Sequence, residues 1–261
     1  MSDTKSDTLK RYPKVNKTEI KDTIWIGQCA GSTEYAAVKI ATDGQALLTN
    51  SLEAIALQKI SRTAALADSN RFPTLLEPSV ESVIPDKCPV LATKFISPGL
   101  TLDNFEAYYK GFLSDNTPIE FIAHLFLELC DVVGLLHDNT MAHKDLQHKN
   151  ILIDLRAPQD TTKMPKLALI DFGFSVIRAD DTDKGFDAKS IRDVLARFEN
   201  FEAFANAVGM TAYDWPISIA ELKHTWGGEA RKWVSDCTLD QVSAIWDVAN
   251  KIPTCLEAQD L

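Results

Sequence analysis

The sequence predicts an α+β protein in two parts, a small strand-rich N-terminal part with one helix and a mainly helical C-terminal part. Three observations lead there. Strand-type runs and turn residues fill the first hundred positions, helical periodicity takes over near Thr117, and 261 residues suit one large domain of two lobes. An apolar fraction of 45% with 25% charged residues is the balance of a globular chain with a sizeable core. It excludes collagen, coiled coil and a disordered tail.

Taken in order, residues 1–17 are polar and read as a flexible arm. Thr23 to Gly27 and Tyr35 to Ile40 read as strands around the turn Ala30-Gly31-Ser32-Thr33. Residues 50–67 read as a helix opening at Asn50 or Ser51, and Val90 to Ile96 as a strand stopped by Ser97-Pro98-Gly99. Thr117-Pro118-Ile119-Glu120 is a helix start: a Thr cap, Pro at the first helical position, and Glu three residues after the cap. Apolar residues then recur every three or four positions, at Ile119, Ile122, Phe126, Leu129, Val133 and Leu136. A second stripe through Phe121, Leu125, Val132 and Leu135 marks this helix as deeply buried. Ile151 to Ile153 and Leu167 to Ile170 read as short strands joined by a polar loop. From about Asp187 the pattern is helical to the end.

Charge and cysteine content narrow the function classes. Lys and Arg number 27 against 37 Asp and Glu, a net charge of −10, so broad nucleic-acid binding is disfavoured. The five cysteines contain no C-x-x-C pair, which suits a reducing compartment. The polar N-terminus has no apolar signal core, and the apolar run Phe121 to Leu136 is broken by His124, Glu128 and Asp131. No membrane partner is expected, and the expected location is cytoplasmic.

The chemistry sits in two linked runs. His143-Lys144-Asp145-Leu146-Gln147-His148-Lys149-Asn150 is followed, 21 residues after Asn150, by Asp171-Phe172-Gly173. Phosphoryl transfer needs a carboxylate to take the acceptor's proton, oxygen ligands for Mg²⁺ and a cation on the phosphates. The two runs in this order resemble the H-R-D-L-x-x-x-N and D-F-G signatures of the protein-kinase-like superfamily. The resemblance covers roughly residues 20–200 and implies a bilobal protein-kinase-like fold, with the N-lobe at 18–96 and the C-lobe at 97–261. It makes Asp145 the catalytic base, Asn150 and Asp171 the metal ligands, and ATP and Mg²⁺ the cofactors. Ala36-Ala37-Val38-Lys39 resembles the V-A-I-K strand, so Lys39 is the expected phosphate-binding lysine and Glu53 its candidate partner. Glu53 has a second reading, since Asn50 with Glu53 three residues on also fits a capping box. The resemblance further puts Thr93 just before an adenine-binding hinge of Lys94, Phe95 and Ile96. Asp187-Ala188-Lys189-Ser190 resembles the start of the helix that anchors the catalytic loop, and His143 supports that loop.

Three departures bear on the substrate. No G-x-G-x-x-G precedes Lys39; Gly27 and Gly31 suit the turn between the second and third strands better. Two residues after Asp145 stands Gln147 in place of the usual lysine, and Lys149 is the candidate for steadying the γ-phosphate. Asp171 to Asp187 spans only 16 residues, with Asp180 to Lys184 reading as a tight acidic turn. That shortness resembles compact atypical kinases: RIO-type, small-molecule and bacterial effector kinases. The expected activity is transfer of the γ-phosphate of ATP to a hydroxyl of a protein Ser/Thr or of a small molecule. The alternative is a pseudokinase that binds nucleotide or acts as a scaffold. The C-terminal tryptophans Trp215, Trp226, Trp233 and Trp246 are read as core.

Overall fold

The computed structural model describes residues 2–21, 24–84, 86–96, 99–112, 117–155, 162–210, 215–216 and 218–251. The chain divides into two compact units, one built from residues 1–97 and 170–175, the other from 98–169 and 176–252. The second lobe gives up 170–175 to the first unit. The reason is local: Asp171 is ion-paired to Lys39, and the Phe172 ring stands edge-on to Phe72 with centroids 5.9 Å apart.

Among its described residues the first unit contains a five-stranded sheet in the order β1-β2-β3-β5-β4. The strands are β1 (Lys14–Lys21), β2 (Ile24–Gln28), β3 (Tyr35–Ile40), β4 (Leu75–Glu77) and β5 (Val90–Lys94), with helices α1 (Ser2–Arg11), α2 (Gly44–Arg62) and α3 (Ala64–Ala67). All neighbouring strands are antiparallel, and β3 pairs Lys39 with Ile24 on one side and Leu91 on the other. Alternation along β2 and β3 buries Trp25, Ala36 and Val38 in one cluster with Val90 and Ala92 of β5.

The segment expected as a flexible arm is instead helix α1 followed by strand β1. Composition concealed this because few side chains anchor it. Leu9 and Tyr12 pack on the Trp25 cluster, and Trp25 Nε1 donates to the Tyr12 carbonyl at 3.2 Å. Backbone bonds from Gln28 to Pro13 and from Ala30 to Arg11 tie the segment down further.

Helix α2 also starts earlier than the sequence suggested. Asp43 is its cap, accepting from the Ala46 N–H at 2.8 Å. Asn50 and Ser51, which looked like caps, lie inside the helix and hold the Cys88 segment: Asn50 Nδ2 donates to the Cys88 carbonyl and Ser51 Oγ accepts from its N–H. The helix stops at Arg62, and α3 is a separate turn. Of the two glycines assigned to the β2–β3 turn, Gly31 is there, with φ +74°. Gly27 lies within β2 instead, opposite Ala36, where a Cβ would come within 2.8 Å of the Tyr12 carbonyl oxygen.

The second unit is organised on α5 (Ile119–Asp138), whose Phe121, Ile122, Leu125, Phe126, Leu129, Val132, Val133 and Leu136 are all buried. The start is displaced by one residue: Pro118 is the cap residue and makes no side-chain cap bond, while the Thr117 carbonyl accepts from Asn200. Around it lie β6 (Gly99–Thr101), α4 (Leu102–Phe112), β7 (Met141–Ala142), a 3-10 turn (His148–Asn150), β8 (Ile151–Asp154), β9 (Leu167–Leu169) and β10 (Val176–Ile177). The C-terminal helices are α6 (Asp181–Leu195), α7 (Phe201–Ala207), α8 (Ile219–Thr225), α9 (Gly227–Ser235) and α10 (Leu239–Lys251). Strands β6, β8 and β9 form one small antiparallel sheet, and β7 pairs with β10.

The acidic run Asp180 to Lys184 is not a free turn but the first turn of α6. Asp180 accepts from the Asp183 N–H at 2.9 Å, and Asp183 reaches back to the Asp180 N–H, a reciprocal capping box. Of the four tryptophans read as core, Trp226 and Trp246 are buried while Trp215 and Trp233 are only half-buried, and the indole N–H groups of Trp215 and Trp246 donate to the carbonyls of Ala188 and Lys163.

Candidate active site

The first unit brings together three of the expected residues. Lys39 leaves the sheet from β3, Glu53 reaches out of the third turn of α2, and Asp171 arrives from a point 132 residues along the chain. Lys39 Nζ lies 2.7 Å from Glu53 Oε2 and 3.0 Å from Asp171 Oδ1. With α2 starting at Gly44, Glu53 cannot serve the capping box, and the ion-pair geometry is the one present. Burial works against the Lys39 ammonium, yet the Glu53 and Asp171 carboxylates outweigh it and hold its pKa above the ordinary value. Burial pushes the Glu53 carboxyl up, opposed by Lys39 and by a bond from the Phe172 backbone. Asp171 stands at φ 64°, a sparsely populated region for a residue with a side chain. Gly173 fits closely beside it, since a Cβ there would meet Thr49 Cγ2 at 2.6 Å.

The expected hinge residues also belong to this unit. Thr93 is buried in β5 opposite Ala37 and Leu75. The N–H groups of Lys94 and Phe95 are taken by the carbonyls of Thr74 and Tyr35, each at 2.8 Å. The Lys94 ammonium pairs with Glu34 at 2.6 Å on the surface. Ile96 has no backbone partner among the described residues, so it is the one of the four whose N–H is uncommitted.

The second unit holds the other set. Asp145 sits in the loop after β7, and both of its carboxylate oxygens accept hydrogen bonds: Oδ1 from Gln147 Nε2 at 2.7 Å and Oδ2 from Asn150 Nδ2 at 2.8 Å. Asn150 also donates to the Asp145 carbonyl at 2.9 Å, which fixes its amide and leaves Oδ1 without a partner among the described residues. That oxygen is a hard donor of the type Mg²⁺ takes, and so, within the first unit, is the Asp171 carboxylate. Lys149, in the same 3-10 turn, is exposed and makes no ion pair among the described residues; the structure does not bring it to Asp145.

Beneath the loop lies the fully buried Asp187, in the second turn of α6. It accepts from the backbone N–H groups of His143 and Lys144, each at 2.7 Å, and from His137 Nε2 at 3.1 Å. His143 Nδ1 accepts the Asp145 N–H at 3.3 Å, a supporting role as expected. Sequence reasoning missed Gln147 as an orienting group for Asp145. The signal was its position two residues on in a non-helical stretch, where alternate side chains share a face.

A separate acidic cluster, Asp103, Glu106 and His148, has the compactness of a metal centre. Arg197 already lies 2.9 Å from both carboxylates, so the cationic place is filled by the protein.

No family model matches the chain. Solved structures with a similar backbone include the BubR1 kinase domain, over 95% of this chain and 96% of that one, at 14% identity and a TM-score of 0.59. The Cydia pomonella granulovirus kinase PK-1 aligns over 93% and 97%, at 17% identity and a TM-score of 0.51. The structure of the Rad53 kinase domain and SCD2 aligns over 96% and 87%, at 16% identity and a TM-score of 0.50. In sequence, the chain is 31% identical over 77 residues to the dual specificity protein kinase CLK2 of Mus musculus and of Homo sapiens. That match covers 24% of this chain and 15% of the relatives' own length. The chain therefore has the α+β, bilobal fold of the protein-kinase-like superfamily. Within that fold, Lys39, Glu53 and Asp171 are ion-paired in the first unit, and Gln147 and Asn150 hydrogen-bond to Asp145 in the second.

Proposed function

We propose that the protein is an ATP- and Mg²⁺-dependent phosphotransferase that moves the γ-phosphoryl group to a hydroxyl. The observation that carries this reading is Lys39 held between Glu53 and Asp171, an ammonium fixed by two carboxylates, one 14 and the other 132 residues along the chain. Lys39 binds the α- and β-phosphates, and the Ile96 N–H is the donor available to the adenine. Asn150 and Asp171 hold Mg²⁺, which when bound neutralises charge on the phosphates. Asp145, oriented by Gln147 and Asn150, takes the acceptor's proton as the hydroxyl oxygen bonds to the γ-phosphorus and the bond to ADP breaks. Lys149, as an exposed cation four residues from Asp145, is assigned to the γ-phosphate.

The likeness to CLK2 supports a protein acceptor. The shortness of the connection from Asp171 to α6, which opens at Asp181, supports an acceptor other than an extended peptide. A second reading, a nucleotide-binding scaffold without transfer, has one specific support. Strand β1 ends at Lys21 and β2 begins at Ile24, so no glycine lies between them to cradle phosphates.

The test is transfer of labelled γ-phosphate from Mg·ATP into fractionated cell extract, with Asp145→Asn and Asp171→Asn beside the wild type. Label from the wild type alone is expected, with Mg²⁺-dependent ATP binding kept in Asp145→Asn and lost in Asp171→Asn. Equal labelling by Asp145→Asn overturns the base assignment. Tight ATP binding without label from any of the three passes the protein to the scaffold reading.

A further inference from the structure

Lys144, the residue immediately before Asp145, is gripped three ways by one helix. Its N–H donates to Asp187 Oδ1 at 2.7 Å, its ammonium pairs with Asp183 Oδ1 at 2.8 Å, and the same ammonium lies 4.9 Å from the centre of the Phe186 ring. All three partners belong to the first two turns of α6. Its backbone stands at φ 65°, which a lysine does not adopt unless its surroundings impose it.

The three grips differ in what they ask of the sequence. Asp187 holds a backbone N–H and would serve any residue except proline at that place. Asp183 and Phe186 hold the side chain and require a cation. Asp183 is itself fixed by the capping box with Asp180, so its carboxylate is preset before Lys144 arrives. The Lys144 bond also holds the Asp183 carboxyl below its ordinary pKa, so the anion persists across the neutral range.

We propose that Asp183 is a positioning residue: by fixing the Lys144 ammonium it holds the Asp145 loop in its working arrangement. A carboxylate built into α6 supplies the anion, and the loop's order therefore needs no charge added by modification of the segment after Asp171. The kinetic half of this inference rests on the phosphotransferase reading, while the structural half stands without it.

The experiment uses the full chain and two single variants, Asp183→Asn, which removes the charge but keeps an acceptor for the cap, and Lys144→Met. Amide hydrogen exchange at His143, Lys144 and Asp145 is expected to quicken about fivefold in both, the factor a half-exposed ion pair can carry. The melting temperature stays unchanged as the control for folding. In the transfer assay kcat falls by a similar factor of about five with KM for ATP unchanged, and the double variant falls no further than either single one. Exchange at these three amides that matches the wild type overturns the proposal, as does a change confined to KM. A wild type that transfers no phosphate removes the reading above it, and the exchange measurement then decides the ion pair alone.

Discussion

Lys39 sets the terms at the scale of single residues. Its pKa is raised in the fold, so the stability contributed by its ion pairs is fully present below the unfolded value of about 10.4 and is lost as pH rises through the folded value. Wild-type affinity for Mg·ATP should therefore keep its Lys39 part up to at least pH 10. In Glu53→Gln the stronger of the two opposing carboxylates is gone, and the ammonium loses its proton at a lower pH than in the wild type. The expected result is an affinity that starts to fall at a lower pH than in the wild type, read from Kd measured between pH 7 and 10. Coincident profiles would sink the pairing as the source of the shift. Asp145, Asn150 and Asp171 stood out in the sequence because the two runs that carry them resemble known signatures in the same order. Gln147 was passed over because it stands where the family carries a lysine, although its place two residues on in a non-helical stretch puts it on the same face as Asp145. The two readings of Glu53 separated only when the start of α2 was known.

At the scale of elements, the long apolar stripe of α5 was readable because 3.6-residue periodicity survives whatever the helix packs against. Helix starts were harder. Asp43 is followed by a glycine, a poor helix former, and Asp180 opens a run of polar residues that also suits a turn. Both proved to be caps, at α2 and α6. Helix α1 left no apolar stripe at all; Leu9 and Tyr12 anchor it onto β2. That contact makes its own prediction. Gly27→Ala drives a Cβ to 2.8 Å from the Tyr12 carbonyl oxygen, a backbone atom that no rotamer change can clear. The expected cost is about 1–3 kcal/mol, and each kcal/mol lowers the melting temperature of a chain this size by about 2–4 °C. An unchanged melting temperature would show that α1 is free to leave the sheet.

For the molecule as a whole, the charge of −10 argues that phosphate polymers are poor partners. RNA or duplex DNA should not be retained at about 50 mM salt, and retention that weakens steeply with added salt would contradict this. The change from strand patterning in the first hundred residues to helical periodicity near Thr117 was legible in the sequence. The transfer of 170–175 to the first unit was not, since it depends on an ion pair and a ring contact formed across a hundred residues or more. The same division has an optical consequence. Trp25 is the one tryptophan of the first unit, sealed under Tyr12 with the Lys14 ammonium 5.3 Å from its ring, while Trp215, Trp226, Trp233 and Trp246 all belong to the second. Replacing those four by phenylalanine leaves a single buried fluorophore in the unit that carries Lys39, Glu53 and Asp171. Its emission would report the packing of that unit's sheet alone, and so would follow the melting of the first unit apart from that of the second.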